Sequence, residues 1–169
     1  MIALRPIGVI HSRYRAAAGT PIQPTYAAQS PGTVVVDEGY APALADLEGF
    51  ERIWVCYWFH RAGPYAPRVV PYRDTVEHGL FATRSPCRPN PLGLSVVRLV
   101  SRDGCTLHVA DLDILDGTPL LDIKPYVPQF DAHPDARAGW IDTSREDRRV
   151  ADTRFHEDAA APKGTPPKE

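Results

Sequence analysis

Four segments of this chain concentrate side chains that could do chemistry. The densest is Phe81-Ala82-Thr83-Arg84-Ser85-Pro86-Cys87-Arg88-Pro89-Asn90-Pro91-Leu92-Gly93. Its three prolines stiffen a loop and bias each preceding residue away from helix. A rigid loop presenting Arg84, Arg88 and Asn90 binds without first having to be ordered. Guanidinium groups recognise carboxylate or phosphate bidentately. The second segment is Leu112-Asp113-Ile114-Leu115-Asp116-Gly117-Thr118-Pro119, running on to Asp122-Ile123-Lys124-Pro125-Tyr126. The third is Gly19-Thr20-Pro21-Ile22-Gln23-Pro24, where two prolines hold a loop around an amide that both donates and accepts. The fourth is the aromatic run from Trp54 to Phe59, ending in His60-Arg61. Each has a plainer reading. The arginine loop could be a solvated corner, the aromatic run core, Asp113 and Asp116 a strand-end turn, and Asp122 with Lys124 a surface pair.

Familiar cofactor signatures are missing. No GxGxxG joins a strand to a helix and no P-loop occurs. Cys56, Cys87 and Cys105 include no CxxC pair, and the six histidines include no HExxH pair. Neither a metal site nor a disulfide framework is expected. The net charge of -2 conceals an asymmetry, because eight arginines lie between Arg52 and Arg102 against only Asp74 and Glu77. That fits phosphate or carboxylate recognition, and equally a solvated surface. A hydrophobic fraction of 43% is that of a globular chain. No apolar run approaches the roughly 20 residues of a membrane helix. The opening Met1-Ile2-Ala3-Leu4-Arg5-Pro6 lacks the layout of a signal peptide. A cytoplasmic protein is the expectation.

The elements that must carry these segments are short. With 18 prolines spread through the chain, long helices are excluded almost everywhere before Thr143. Strands are expected at 7–12, 33–36, 52–60, 79–83, 92–101, 106–115 and 120–124, with a hairpin at Asp103-Gly104. Seven short strands with turn punctuation predict a mainly β fold, a small barrel or sandwich. Short helices are predicted at 42–47 and, from the capping-box form Thr143-Ser144-Arg145-Glu146, at 144–155. One domain is expected over 1–156, followed by a disordered tail at 157–169.

Taken together the four segments resemble the TsaA-like family of S-adenosylmethionine (SAM)-dependent methyltransferases. The resemblance runs from Ile7 to Tyr126. It includes Ile7-Gly8-Val9-Ile10-His11-Ser12, Leu47-Glu48-Gly49-Phe50, the arginine loop, Asp116-Gly117-Thr118-Pro119 and Asp122-Ile123-Lys124-Pro125-Tyr126. It implies a small β-barrel that binds SAM without a Rossmann sheet and acts as a homodimer. It also implies methylation of N6 of threonylcarbamoyladenosine in the tRNA anticodon loop. The cofactor contacts it implies are Pro21, Ile22, Gln23, His60, Arg61, Arg84, Leu94, Asp113, Ile114, Leu115 and Asp116. The short stretch beyond Tyr126 resembles the compact members of the family, whereas longer bacterial members carry a further C-terminal domain.

For such a reaction the residues suggest roles. Arg84 suits the methionine carboxylate of SAM. Asn90 and Tyr126 are the candidates beside the target base, with Asp116 as proton acceptor. Arg88, Asn90 and Lys124 are the candidates for contact with RNA. Two further readings fit the same residues: methylation of another nucleobase or a small molecule, and a SAM-binding module without catalysis.

Overall fold

The computed structural model describes residues 3–156, so the expected tail at 157–169 lies outside the described residues. Eight strands form in chain order: β1 (Gly8–Ser12), β2 (Gly32–Val36), β3 (Arg52–Trp58), β4 (Arg68–Val69), β5 (His78–Gly79), β6 (Leu92–Asp103), β7 (Thr106–Ala110) and β8 (Thr118–Pro125). Six close into a barrel in the order β1-β2-β7-β6-β3-β8, every neighbouring pair antiparallel. Closure through β1 and β8 leaves these strands no unpaired edge. The remaining two, β4 and β5, pair with each other in the long connection between β3 and β6.

Alternation along the strands builds the core. In β3, Ile53, Val55 and Tyr57 are buried, while Arg52, Trp54, Cys56 and Trp58 lie on the outer face. In β6, Gly93, Ser95 and Val97 face in and Leu92 and Leu94 face out. Ile10, Val34, Ile53, Val55, Val97, Leu107, Leu112 and Leu120 are all less than 2% exposed. Each such side chain contributes about 1.5–3 kcal/mol by leaving water. Gly93 lies opposite Tyr57 in the β3–β6 register. A Cβ there would stand 2.1 Å from the Tyr57 ring, so only glycine lets that ring lie flat across the neighbouring strand.

The fold is mainly β, as expected, with six barrel strands rather than about seven. The strand expected at 79–83 is instead the end of β5 and a 3-10 turn, Leu80–Ala82, closed by Thr83 N donating to the Leu80 carbonyl. The strand expected at 106–115 stops at Ala110. Asp111 takes a left-handed conformation (φ 64). Its carboxylate accepts from the Gln29 amide and Arg52 Nη2, and the chain turns across the end of the barrel. The expected turn at Asp103-Gly104 lies one residue on, at Gly104-Cys105, with Gly104 at φ 56. At 42–47 there are two 3-10 turns, Glu38–Leu44 and Leu47–Gly49, separated by Asp46 at φ 65.

The largest correction is at 144–155, which is not a helix. The Ser144 hydroxyl donates to the Arg73 carbonyl, and the Thr143 hydroxyl turns back to the Trp140 carbonyl. Past Glu146 the backbone bonds mostly outward, the local bond from His156 N to the Thr153 carbonyl apart. Ile22 N donates to the Arg149 carbonyl, Gly19 N to Ala151, Ala151 N to Thr20, and Gly63 N to Phe155. The segment is an extended strap tied across the loops at one end of the barrel. Phe155 anchors it in a second small core with Val69, Leu80 and Cys87.

Candidate active site

The ends of β1, β3 and β7 and the starts of β2, β6 and β8 lie at the same end of the barrel, as the pairings Trp58↔Leu92, Ile10↔Thr118 and Ser12↔Gly32 require. Here a cleft of about 890 Å³ opens, within the range of small-molecule sites. The loop at 20–23, the strand end at 60–62, the arginine loop at 81–88, the crossing segment at 113–115, Trp140 and Ile141 of the 3-10 turn Gly139–Asp142, and the strap residues Ala151 and Phe155 line it. Segments far apart in sequence therefore meet in one place.

Each loop is locked by its own bonds. Thr20 Oγ1 donates to the Ala16 carbonyl, and Tyr26 N to the Gln23 carbonyl. In the arginine loop, Thr83 Oγ1 donates to the Leu80 carbonyl, and Arg88 Nη1 reaches the carbonyls of Thr83 (2.9 Å) and Ser85 (3.3 Å). The Arg88 guanidinium also lies over the Phe81 ring. Arg88 thus holds the loop in shape. Arg84, from the same loop, is exposed to the cleft and donates to Gln23 Oε1, while Gln23 Nε2 donates to the Ile22 carbonyl.

His60 Nδ1 is 3.4 Å from Thr118 Oγ1, and Thr118 in turn donates to the Leu115 carbonyl. Burial, reinforced by the Arg61 charge, pushes the His60 pKa down, so the imidazole is neutral at neutral pH. Arg61 Nη1 donates to the Arg15 carbonyl at 2.6 Å. Asp113 sits at the mouth of the barrel interior. Its Oδ1 accepts from Ser95 Oγ at 2.8 Å, and Ser95 Oγ lies 3.2 Å from the buried Tyr57 hydroxyl. Burial pushes the Asp113 carboxyl up to about 7, against the opposing pull of the Ser95 hydrogen bond and the Arg84 charge. Burial, with Asp113 next, also raises the Tyr57 phenol, which keeps its proton.

Among the residues named from the sequence, Pro21, Ile22, Gln23, His60, Arg61, Arg84, Arg88, Leu94, Asp113, Ile114 and Leu115 all line the cleft. Leu94 reaches it from the outer face of β6. Asp116, Asn90, Lys124 and Tyr126 are not among its lining residues. The Asp116 carboxylate is taken by the Ser12 amide (3.0 Å), His11 Nδ1 (3.3 Å) and Arg15. The Ser12 amide, with Arg15 and His11, holds its pKa below the ordinary range. It is a poor proton acceptor and serves to pin the crossing segment. Tyr126 packs beside Trp54 (centroids 6.0 Å apart), Lys124 pairs with Asp122 at 3.0 Å, and Asn90 is exposed on the proline loop. Sequence reasoning missed Ser95, Tyr57, Trp140 and the strap. Only the strand alternation of Tyr57 and Ser95 hinted that they shared a face.

Among the described residues, no group of three or more His, Cys, Asp or Glu is placed to hold a metal, and no helix is long and apolar enough to cross a membrane.

A closed antiparallel barrel with a loop-built cleft at one end defines a ligand-binding β-barrel rather than a doubly wound nucleotide fold. The chain belongs to the tRNA-methyltransferase O N-terminal domain family, whose family model matches residues 9–132. It is 51% identical over 142 residues to a protein of Pyrococcus abyssi named "Probable S-adenosyl-L-methionine-binding protein", covering 84% of this chain and 77% of that one. It is 38% identical over 148 residues to the tRNA (adenine(37)-N6)-methyltransferase of Escherichia coli, covering 82% of this chain and 63% of that enzyme. The crystal structure of TrmO from Pseudomonas aeruginosa superposes with a TM-score of 0.70 at 38% identity, over 82% of this chain and 62% of that one. The chain thus spans somewhat under two thirds of the two methyltransferases. Residues 133–156, including the strap, lie beyond the matched family domain.

Proposed function

We propose that this chain is a SAM-dependent methyltransferase that acts on N6 of threonylcarbamoyladenosine in the anticodon loop of tRNA. The observation that carries the reading is the cleft itself. It gathers the loop at 20–23, His60-Arg61, Arg84 and the segment at 113–115 around one volume large enough for a nucleoside cofactor. The donor set fits SAM. Arg84, oriented by Gln23, suits the methionine carboxylate. Pro21, Ile22 and Leu115 offer an apolar wall for the adenine ring. A neutral His60 and the Asp113 carboxylate suit a cationic sulfur, where a charged imidazole would repel it.

SAM supplies an electrophilic methyl group on a positively charged sulfur. The chain's own task is to place the acceptor nitrogen in line with that methyl and to keep water away. Unpaired bases of a loop can be splayed into a pocket and stacked on aromatic side chains. Trp54 and Trp140 are among the aromatic residues that line the cleft. Arg73, which lines the cleft, and Arg149 beside it on the Tyr26 ring suit the RNA backbone. Arg73 and Arg149 both lie over the Tyr26 ring, 5.9 and 5.7 Å from its centroid. Function as a homodimer in the cytoplasm belongs to the same reading. The exposed Phe81 (78%) and Leu94 (58%) beside the cleft are the surface a second copy would cover.

A second reading, SAM binding without catalysis, is favoured by the name of the Pyrococcus relative and by the part-length match to the methyltransferases. One experiment separates them. The protein is mixed with methyl-labelled SAM and unmethylated tRNA, and label is followed into nucleosides. Label in threonylcarbamoyladenosine supports the first reading. SAM binding without transfer supports the second.

A further inference from the structure

We infer that Asp113 is the general base of the transfer, with Ser95 and Tyr57 as positioning residues that aim its carboxylate into the cleft. The inference rests on the methyltransferase reading above and adds the proton's destination to it.

Ser95 has one hydroxyl hydrogen, and it goes to Asp113 Oδ1 at 2.8 Å. The 3.2 Å contact between Ser95 Oγ and the Tyr57 hydroxyl must then be donated by Tyr57. Tyr57 is 5% exposed, so its phenol has no competing water and keeps its proton. The chain of donors therefore runs one way, from Tyr57 to Ser95 to Asp113. It fixes one oxygen of a carboxylate whose residue lines the cleft. Gly93 maintains this line by letting the Tyr57 ring lie across β6. Asp116, the other carboxylate of the segment, is spent on Ser12, His11 and Arg15.

In the step, the electron pair of the acceptor N–H becomes available to nitrogen as its proton passes to the Asp113 carboxylate. Nitrogen forms the new bond to the methyl carbon, and the methyl–sulfur pair stays on sulfur. Charge balances: the cationic sulfur becomes neutral and the carboxylate becomes the acid. N6 of a carbamoylated adenine is a weak nucleophile, so losing its proton during attack matters. The charged and titratable groups facing Asp113 are Arg84, from the arginine loop, and Tyr57, from β3.

The test compares wild type, Asp113→Asn, Ser95→Ala and Tyr57→Phe by SAM calorimetry and by single-turnover methyl transfer to unmethylated tRNA across pH 5–9. At saturating SAM, Asp113→Asn is expected to lose roughly a hundredfold or more in transfer rate, beyond any loss in SAM affinity, the usual size of general-base catalysis. Its rate is also expected to lose the rise with pH that wild type shows. Ser95→Ala and Tyr57→Phe are expected to keep that rise and lose less, about three- to tenfold. An Asp113→Asn variant that transfers at the wild-type rate overturns the inference. So does one whose SAM affinity falls in step with its rate, because Asp113 would then be a cofactor ligand only. Transfer by wild type with an unaffected variant leaves the methyltransferase reading standing. Absence of transfer by wild type overturns both.

Discussion

Replacing Gly93 by alanine puts a carbon where the Tyr57 ring now lies. The added Cβ would stand 2.1 Å from Tyr57 Cε2, 2.3 Å from Cζ and 2.7 Å from Cδ2. Carbon atoms in contact settle at about 3.5–4.0 Å, so the ring or the strand must withdraw by well over an ångström. Neither has room. Tyr57 is 5% exposed and packs edge-on against Phe59, with centroids 5.2 Å apart. Gly93 is held in register between β3 and its own strand. Overpacking of this kind costs about 1–3 kcal/mol. For a chain of this size each kcal/mol lowers Tm by roughly 2–4 °C, so Gly93→Ala is expected to melt about 2–12 °C below wild type by calorimetry. The displaced ring also carries its hydroxyl away from Ser95, so methyl transfer should fall more than SAM binding does. A control comes from Tyr57→Leu, which removes the ring. The two substitutions together should cost less than the sum of each alone. Gly93→Ala with an unchanged Tm, or costs that simply add, would refute the claim that the Tyr57 ring occupies this space.

Other outcomes follow from the same geometry. Because burial raises the Asp113 pKa in the folded state to about 7, its contribution to stability is full below its unfolded pKa and is lost as pH rises through about 7. Wild type without ligand should therefore lose stability relative to Asp113→Asn between pH 4 and 8. The gap should grow by at most about 1.4 kcal/mol per pH unit over the interval, less where water reaches the carboxylate through the cleft. Parallel denaturation midpoints across that range would contradict it. Phe155→Ala empties a packed position against Val69, Leu80 and Cys87 and should cost about 3–5 kcal/mol. Hydrogen exchange should show the strap and the loop at 60–63 opening first, and uniform protection would speak against the strap's anchoring there. Transfer to tRNA should weaken steeply with salt, with a log–log slope of a few units if several arginines meet phosphates, while SAM affinity barely moves. Salt-insensitive turnover would instead favour a small acceptor.

Local patterns made the barrel legible. The alternation of Ile53, Val55 and Tyr57 marked β3, and Asp103-Gly104 lay within one residue of the turn between β6 and β7. The arginine loop and the segment at 113–115 were legible as chemistry because their residue types are local facts. The strap was not. Thr143 to Glu146 has the form of a helix start, but Ser144 is spent on Arg73, and the following backbone pairs with loops about 90 to 130 residues away in sequence. No local signal records such partners. Asp113 and Asp116 show the same limit. They are three residues apart and of one type, yet one is bonded to Ser95 at the barrel mouth and the other is held by Ser12, His11 and Arg15. Their opposite pKa shifts are set by neighbours that only the fold supplies.

The central claim is that the cleft at the barrel end binds SAM through Arg84. Calorimetric titration of SAM into wild type, Arg84→Ala and the distant surface variant Val100→Ser tests it most directly. The account expects one site per chain in wild type, unchanged affinity in Val100→Ser, and about a tenfold to hundredfold loss in Arg84→Ala, the weight of one charge-assisted contact. No SAM binding by wild type, or wild-type affinity in Arg84→Ala, would contradict it.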